Sequence, residues 1–191
     1  MYDVFQYPDF QSILKTAGIT VWLLLPAYTP NNFAVVFGGG KPIDLGRNFI
    51  DGRRILGNGK TIRGFIAGVF GGILVAHIQL SIENFSGIKV YSALDYSLFL
   101  PLITGLACGA MIGDLIGSFI KRRSGFERGQ SFPFLDQLGF LAVALFFASF
   151  SAGFTELFGM HIIIAAFIIT PILHLVTNYI AYRLGLKNAP W

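Results

Sequence analysis

Apolar residues gather in five long runs separated by shorter polar stretches. A helix needs about 20 mostly apolar residues to cross the hydrocarbon core of a bilayer. The qualifying stretches are 12–37, 62–81, 97–120, 137–156 and 160–183. The first is long and interrupted by Pro26, Pro30 and the Asn31–Asn32 pair, which predicts a kink or a break. Pro171 predicts a kink in the last. The pattern predicts an all-α integral membrane protein of about five transmembrane helices, with residues 1–191 forming a single transmembrane domain. No internal repeat or low-complexity tail is visible, and the connection 82–96 is short and mildly polar.

Composition supports the same class. The chain is 54% hydrophobic and 13% charged, where a soluble domain is about a quarter charged. A water-soluble fold of this size has too little interior to hide so much apolar surface. Of the 14 basic residues, Lys41, Arg47, Arg53, Arg54, Lys60 and Arg63 lie in 38–63, and Lys121, Arg122, Arg123 and Arg128 in 121–136. Arg183 and Lys187 follow the last span, while Lys15 and Lys89 alone fall on the alternate side. The positive-inside rule then predicts the N-terminus outside, the C-terminus inside and both basic loops in the cytoplasm. The net charge of +4 lies beside apolar spans. Anionic lipid head groups or nucleotide phosphates suit it better than a nucleic acid polymer. The single cysteine, Cys108, forms no internal disulfide or zinc site and reads as a small buried hydrophobe. The start MYDVFQYPDF has no basic region of the kind that opens a cleavable signal peptide.

The first basic loop, GGGKPIDLGRNFIDGRRILGNGKTIRG, is rich in glycine. Glycine turns allow close backbone approach, and successive N–H groups in them form anion-binding nests. Gly57, Asn58, Gly59, Lys60, Thr61 and Arg63 run into the second span, where a helix N-terminus favours phosphate. This is a phosphate cradle by composition but not a P-loop, since Arg54 stands where the first P-loop glycine belongs and no strand precedes it. The alternative is a flexible basic juxtamembrane loop.

The second basic region reads GDLIGSFIKRRSGFERGQSFPFLDQ. Asp114 lies about six residues inside the third span, a costly depth for a carboxylate unless it works. Helical spacing puts Asp114, Ser118 and Lys121 or Arg122 on one stripe. A carboxylate there suits Mg²⁺, with bases above it for anionic oxygens. An intrahelical ion pair from Asp114 to Lys121 or Arg122 is the alternative. Asp136 and Gln137 open the fourth span, so Asp136 reads either as an N-cap or as a second metal ligand. Gly125, Gly129 and Pro133 turn the intervening loop and would fold Asp136 back toward Asp114. His77, His161 and His174 are singletons without ligand spacing and read as satisfied polar groups within the bundle.

Three segments, DGRRILGNGKTIRG at 51–64, GDLIGSFIKRR at 113–123 and RGQSFPFLDQLGF at 128–140, occur in order. Together with the length and span layout they resemble the archaeal CDP-archaeol synthase family, relatives of the CDP-diacylglycerol synthases, over nearly the whole chain. The resemblance implies a membrane cytidylyltransferase that joins CTP to an isoprenoid glycerol phosphate lipid and releases pyrophosphate. It implies Mg²⁺ on Asp114 and Asp136, with Lys60, Arg63, Lys121, Arg122, Arg123 and Arg128 on the phosphates. Thr61, Ser118, Gln137 and the Gly57–Gly59 backbone would supply hydrogen bonds. The small residues Gly64, Gly68, Gly71 and Gly72 would permit close helix packing, with lipid tails between spans. The chain departs from the family pattern at Asn58 and Gly139, where carboxylates are expected. The rival classes are a lipid acyltransferase, a CDP-alcohol phosphotransferase or a small transporter. Asp51-Gly52-Arg53 does not continue into the phosphotransferase signature.

Overall fold

The computed structural model describes residues 9–127, 130–132 and 134–185. They are helical: α1 Phe10–Tyr28, α2 Pro30–Phe37, α3 Ile62–Ser86, α4 Tyr96–Arg123, α5 Leu135–Ala148, α6 Ala152–Leu157 and α7 Met160–Arg183. Four stretches are long and apolar enough to cross a membrane, namely Phe10–Phe37, Ile62–Ser86, Tyr96–Arg123 and Met160–Arg183.

Over the expected fourth span, 137–156, the apolar helix is shorter. The helix there covers 14 residues and stops at Ala148. At 1.5 Å per residue that is about 21 Å, short of the ~30 Å hydrocarbon core. The apolar run continues, but Ser151 ends the helix by starting another: its hydroxyl accepts the Gly153 N–H at 3.3 Å, capping α6. The expected break in the first span falls at Thr29–Pro30. Thr29 caps α1 by donating to the Leu25 carbonyl at 2.8 Å, and Pro30 opens α2 where its missing N–H is harmless. Pro26 and Pro171 lie inside helices that continue through them.

Glycine seams set the helix spacing. A Cβ on Gly109 would lie 2.7 Å from Ala144 Cα, and one on Gly113 would lie 2.6 Å from Phe140 Cα. Gly105, Gly109 and Gly113 thus press the α4 backbone against α5. The glycines of α3 do the same against the first span: a Cβ on Gly68 would come 2.8 Å from the Pro30 carbonyl oxygen, and one on Gly72 2.6 Å from that of Pro26. Leu23, Leu24, Leu102, Ile103, Leu106 and Leu141 form the centre of the buried core. Large apolar side chains such as Phe70, Phe85, Phe146 and Ile168 point outward, as expected of surface that meets lipid.

The end of the bundle away from the basic loops is organised by Glu83. Its buried carboxylate accepts from Trp22 Nε1 at 2.7 Å and from the backbone N–H groups of Val90, Tyr91 and Ser92 at 2.9, 3.1 and 2.7 Å. This gives the 82–96 connection a fixed shape. His77 is satisfied by the Ile73 carbonyl and the Tyr96 hydroxyl, as the sequence suggested.

Candidate functional site: a polar cavity between the two basic loops

The first loop is built around Asp44, whose side chain is fully buried. It accepts Arg54 Nη2 at 2.6 Å and Nε at 3.2 Å, and the N–H groups of Gly46, Leu56 and Gly57 at 3.1, 3.0 and 2.9 Å. Burial alone would push the Asp44 carboxyl up. The Arg54 guanidinium and the three N–H groups outweigh it and hold the carboxyl well below the usual carboxylate range. Gly57, at φ +102°, makes the turn that lets two successive N–H groups reach one carboxylate.

Arg123 fastens this loop to the end of α4. Its Nη2 donates to the carbonyls of Arg54 at 2.6 Å and Arg53 at 3.3 Å, and its Nε pairs with Asp51 at 3.2 Å. Its guanidinium lies 4.8 Å from the Phe49 ring centre and 5.0 Å from that of Phe119. Arg53 returns the contact by donating to the carbonyls of Arg122 and Arg123 at 3.3 and 3.2 Å. The two basic segments are thus one physical unit.

Between them lies a cavity of about 830 Å³. Lys60 from the first loop reaches Asp114 of α4 at 2.5 Å, and Lys121 of α4 reaches Asp136 of α5 at 2.7 Å. Asp136 Oδ2 also accepts the Phe132 N–H at 2.9 Å. The intrahelical pair weighed as the alternative for Asp114 does not form among the described residues: Asp114 binds a cation 54 residues away in sequence. Nor is Asp136 the N-cap. Phe134 occupies that position, with φ +63°, and Asp136 sits in the first turn with its carboxylate turned back on the loop.

The structure sorts the remaining expected site residues. Gly57, Asn58 and Gly59 line the cavity beside Lys60, and Ser118, Lys121 and Arg122 line it together with Asp114 and Asp136. The expected stripe on α4 is present. Four of the expected residues lie off the cavity lining. Thr61 caps α3, its hydroxyl accepting the Gly64 N–H at 3.0 Å, and does not line the cavity. Arg63 is exposed on the first turn of α3, outside it. Arg123 is a clamp rather than a lining residue, and Gln137 is half-buried on α5 away from the lining. The Gly57 N–H, expected to be offered to phosphate, is spent on Asp44. Arg128 lies outside the described residues.

Several lining residues do not stand out in the sequence: Asn31, Arg53, Glu127, Gln130 and Asn178, together with His174, which reads there only as a satisfied group. His174 and Asn178 carry a legible signal, two polar groups one turn apart in an apolar span. Asp44 carries none, since its main partner is an arginine ten residues on.

The lining is electrostatically unbalanced toward cations, with Arg53, Arg54, Lys60, Lys121 and Arg122 against Asp114, Asp136 and Glu127. Arg122 Nη1 donates to the Phe126 carbonyl at 2.6 Å, but its buried Nε has no hydrogen-bond partner among the described residues. That nitrogen lies 3.9 Å from where a Cβ on Gly57 would stand, in ordinary van der Waals contact with the turn. A buried guanidinium donor beside a glycine turn is chemically suited to an anionic oxygen.

The fold and this cavity define a class: a multi-pass membrane protein with a polar, cation-lined basin at one end of its helices. A family model described as CarS-like CDP-archaeol synthase matches residues 13–191. The CDP-archaeol synthase of Archaeoglobus fulgidus is 60% identical over 172 residues, covering 90% of this chain and 96% of that protein. Those of Methanosarcina acetivorans and Halobacterium salinarum are 47% and 43% identical, over 88% and 94% of this chain and 100% and 99% of theirs. A solved structure described as an intramembrane enzyme for archaeal membrane lipid biosynthesis superposes with a TM-score of 0.67 at 34% identity, over 83% of this chain and 91% of that one. The chain belongs to the CDP-archaeol synthase family.

Proposed function

We infer that this cavity is where CMP passes from CTP to an unsaturated archaeal isoprenoid glycerol phosphate, giving CDP-archaeol and pyrophosphate in the cell membrane. The observation that carries the reading is the pair of lysine–aspartate contacts, Lys60–Asp114 and Lys121–Asp136, on one cavity closed by both basic loops. A phosphate oxygen of the lipid would form the new bond to the α-phosphorus of CTP. The bond from that phosphorus to the oxygen bridging toward the β-phosphorus would break, and pyrophosphate would leave. The attacking oxygen is already ionised, so no general base is needed. The difficulty is to bring two anions together, and that is an electrostatic task. Lys60, Lys121 and Arg122 neutralise phosphate charge in this reading, and Asn58 and Ser118 supply neutral hydrogen bonds.

Asp114 and Asp136 fit a magnesium ion by donor chemistry. Each commits Oδ2 to a lysine, and among the described residues Oδ1 of each carries no protein hydrogen bond. No group of three or more His, Cys, Asp or Glu is gathered among the described residues, and two carboxylates are what magnesium commonly takes beside substrate phosphates. Bound there, the ion supplies further charge neutralisation for the triphosphate. A Cβ on Gly139 would meet the Leu135 side chain at 3.4 Å.

The test is transfer of label from α-phosphate-labelled CTP to lipid by the purified protein in mixed micelles with an isoprenoid glycerol phosphate. Labelled lipid is expected, and none would remove the reading in favour of acyl transfer or transport. Lys60→Ala and Asp136→Asn should each lower the rate by about 100-fold or more, the scale for losing one preorganised electrostatic contact in a site. Full activity in both would remove the site assignment while leaving the class intact.

A further inference from the structure

The transfer chemistry leaves one part of the cavity wall unused. His174 and Asn178 lie one turn apart on α7, with His174 Nδ1 and Asn178 Nδ2 3.1 Å apart, and both line the cavity. Asn31, in the first turn of α2, lines it too. The lining lysines and arginines all come from the basic loops and the last turn of α4, and α7 contributes none. The cavity therefore has its cations on the basic loops and α4, and on α7 an amide and an imidazole without a cation.

The α7 wall reaches as deep as Asp114. His174 stands nine residues before the end of α7, as Asp114 stands nine residues before the end of α4. At 1.5 Å per residue, both lie about 14 Å below the ends of their helices. On the same turns of α7, Leu175, Val176 and Tyr179 are 52%, 46% and 51% exposed. These apolar side chains face where lipid would be, so the wall carrying His174 and Asn178 is a single helix with bilayer behind it. Polar groups at that depth are costly and are kept where they bind something or pair within the bundle.

A triphosphate seeks cations. The glycerol and ether oxygens of an isoprenoid glycerol phosphate carry no charge and mainly accept hydrogen bonds, so amide and imidazole N–H groups are their natural partners. We propose that His174 and Asn178, with Asn31, hold the glycerol–ether portion of the lipid acceptor and thereby position its phosphate for attack. They are positioning residues for one of the two substrates. The inference rests on the cavity being the site of cytidylyl transfer.

The experiment is steady-state kinetics in mixed micelles, varying acceptor at saturating CTP and CTP at saturating acceptor, with CTP binding measured separately by calorimetry. Asn178→Leu and His174→Leu keep the helix suited to the membrane and remove the polar atoms. Each should raise KM for the acceptor about tenfold, the equivalent of about one hydrogen bond, while the calorimetric affinity for CTP stays within about twofold. Asn178→Ser, a smaller change that shortens reach, is run beside them in case a leucine variant fails to insert, and the same split is expected. A rise in KM for CTP with the acceptor unaffected would place the nucleoside on this wall and overturn the proposal. So would unchanged constants for both substrates, or equal losses for both. Wild-type protein that binds CTP yet labels no lipid would overturn the function reading and this inference together.

Discussion

Asp44 decides how much of the glycine-rich turn is available to a ligand. Because Leu56 and Gly57 give their N–H groups to its carboxylate, the turn is held rigid by the protein's own anion. The donors this leaves beside the cavity are the Asn58 and Gly59 N–H groups, which carry no hydrogen bond among the described residues, and the side chains of Lys60 and Arg122. Asp44→Asn keeps the shape but removes the charge, leaving Arg54 without its ionic partner. Breaking a buried pair from one side typically costs about 3–5 kcal/mol, so hydrogen exchange of the 54–58 amides should accelerate strongly and CTP affinity should fall. Unchanged exchange would show that Arg54 and the backbone turn hold without it. The pH dependence has a definite sign. A carboxyl whose folded pKa is depressed contributes stability above its unfolded value and loses it only as pH falls through the folded one. Protection of this loop should therefore stay flat from about pH 8 to about pH 5 and decline only below the ordinary carboxylate range; loss within that window would contradict the assignment. The sequence made Lys60, Asp114, Lys121 and Asp136 visible as chemistry. It did not reveal their pairing, because Lys60 and Asp114 are brought together by tertiary packing, whereas helical spacing offered Asp114 a nearer partner on its own helix.

Among the helices, α4 and α5 position the two carboxylates, and their separation is set by backbone contact at Gly105, Gly109 and Gly113. Gly109→Ala would place a methyl group 2.7 Å from Ala144 Cα and from the Val143 carbonyl oxygen, neither of which is the end of a flexible side chain. Overpacking of this kind costs about 1–3 kcal/mol. The expected result is a lower midpoint of thermal unfolding in detergent and a lower transfer rate, because Asp136 would be pushed from α4. Gly18→Ala, where nothing lies within 4 Å of the added carbon, should leave the midpoint unchanged. A Gly109→Ala protein as stable and active as wild type would mean that the seam can open without cost. Helices of this kind are legible from long apolar runs, and the α1–α2 break was legible from Pro30 and its neighbours. The early end of α5 was not, because Ser149 and Ser151 are small polar residues inside an apolar run, and only the cap on α6 reveals that the helix stops. The glycines of α3 announced close packing, but the partner was not readable: it is the first span, with Pro30 and Pro26 carbonyls against Gly68 and Gly72.

For the whole molecule, both basic segments meet at one end of the bundle, joined by Arg123 and Arg53, while Glu83 fixes the connection at the other. Charge count alone predicted that the two loops share a side. Their fusion into one basin depends on Arg123 reaching carbonyls about 70 residues away in sequence, which no local pattern encodes. Which compartment that end faces follows from the same charges: with 12 of the 14 lysines and arginines in the segments assigned to that side by sequence, insertion should leave it in the cytoplasm, where a nucleotide substrate is at hand. This can be read in intact cells on a Cys108→Ala background. Ile50, 95% exposed at the tip of the first loop, and Ile88, 60% exposed at the opposite end, are each replaced by cysteine. A membrane-impermeant maleimide should label Ile88→Cys in intact cells and reach Ile50→Cys only after permeabilisation. The reverse pattern would put the basin outside, where the charge bias could no longer be a topology signal and would have to be explained by anion binding alone. Labelling of both in intact cells would mean mixed insertion, and the lopsided distribution of basic residues would then be too weak to orient the chain.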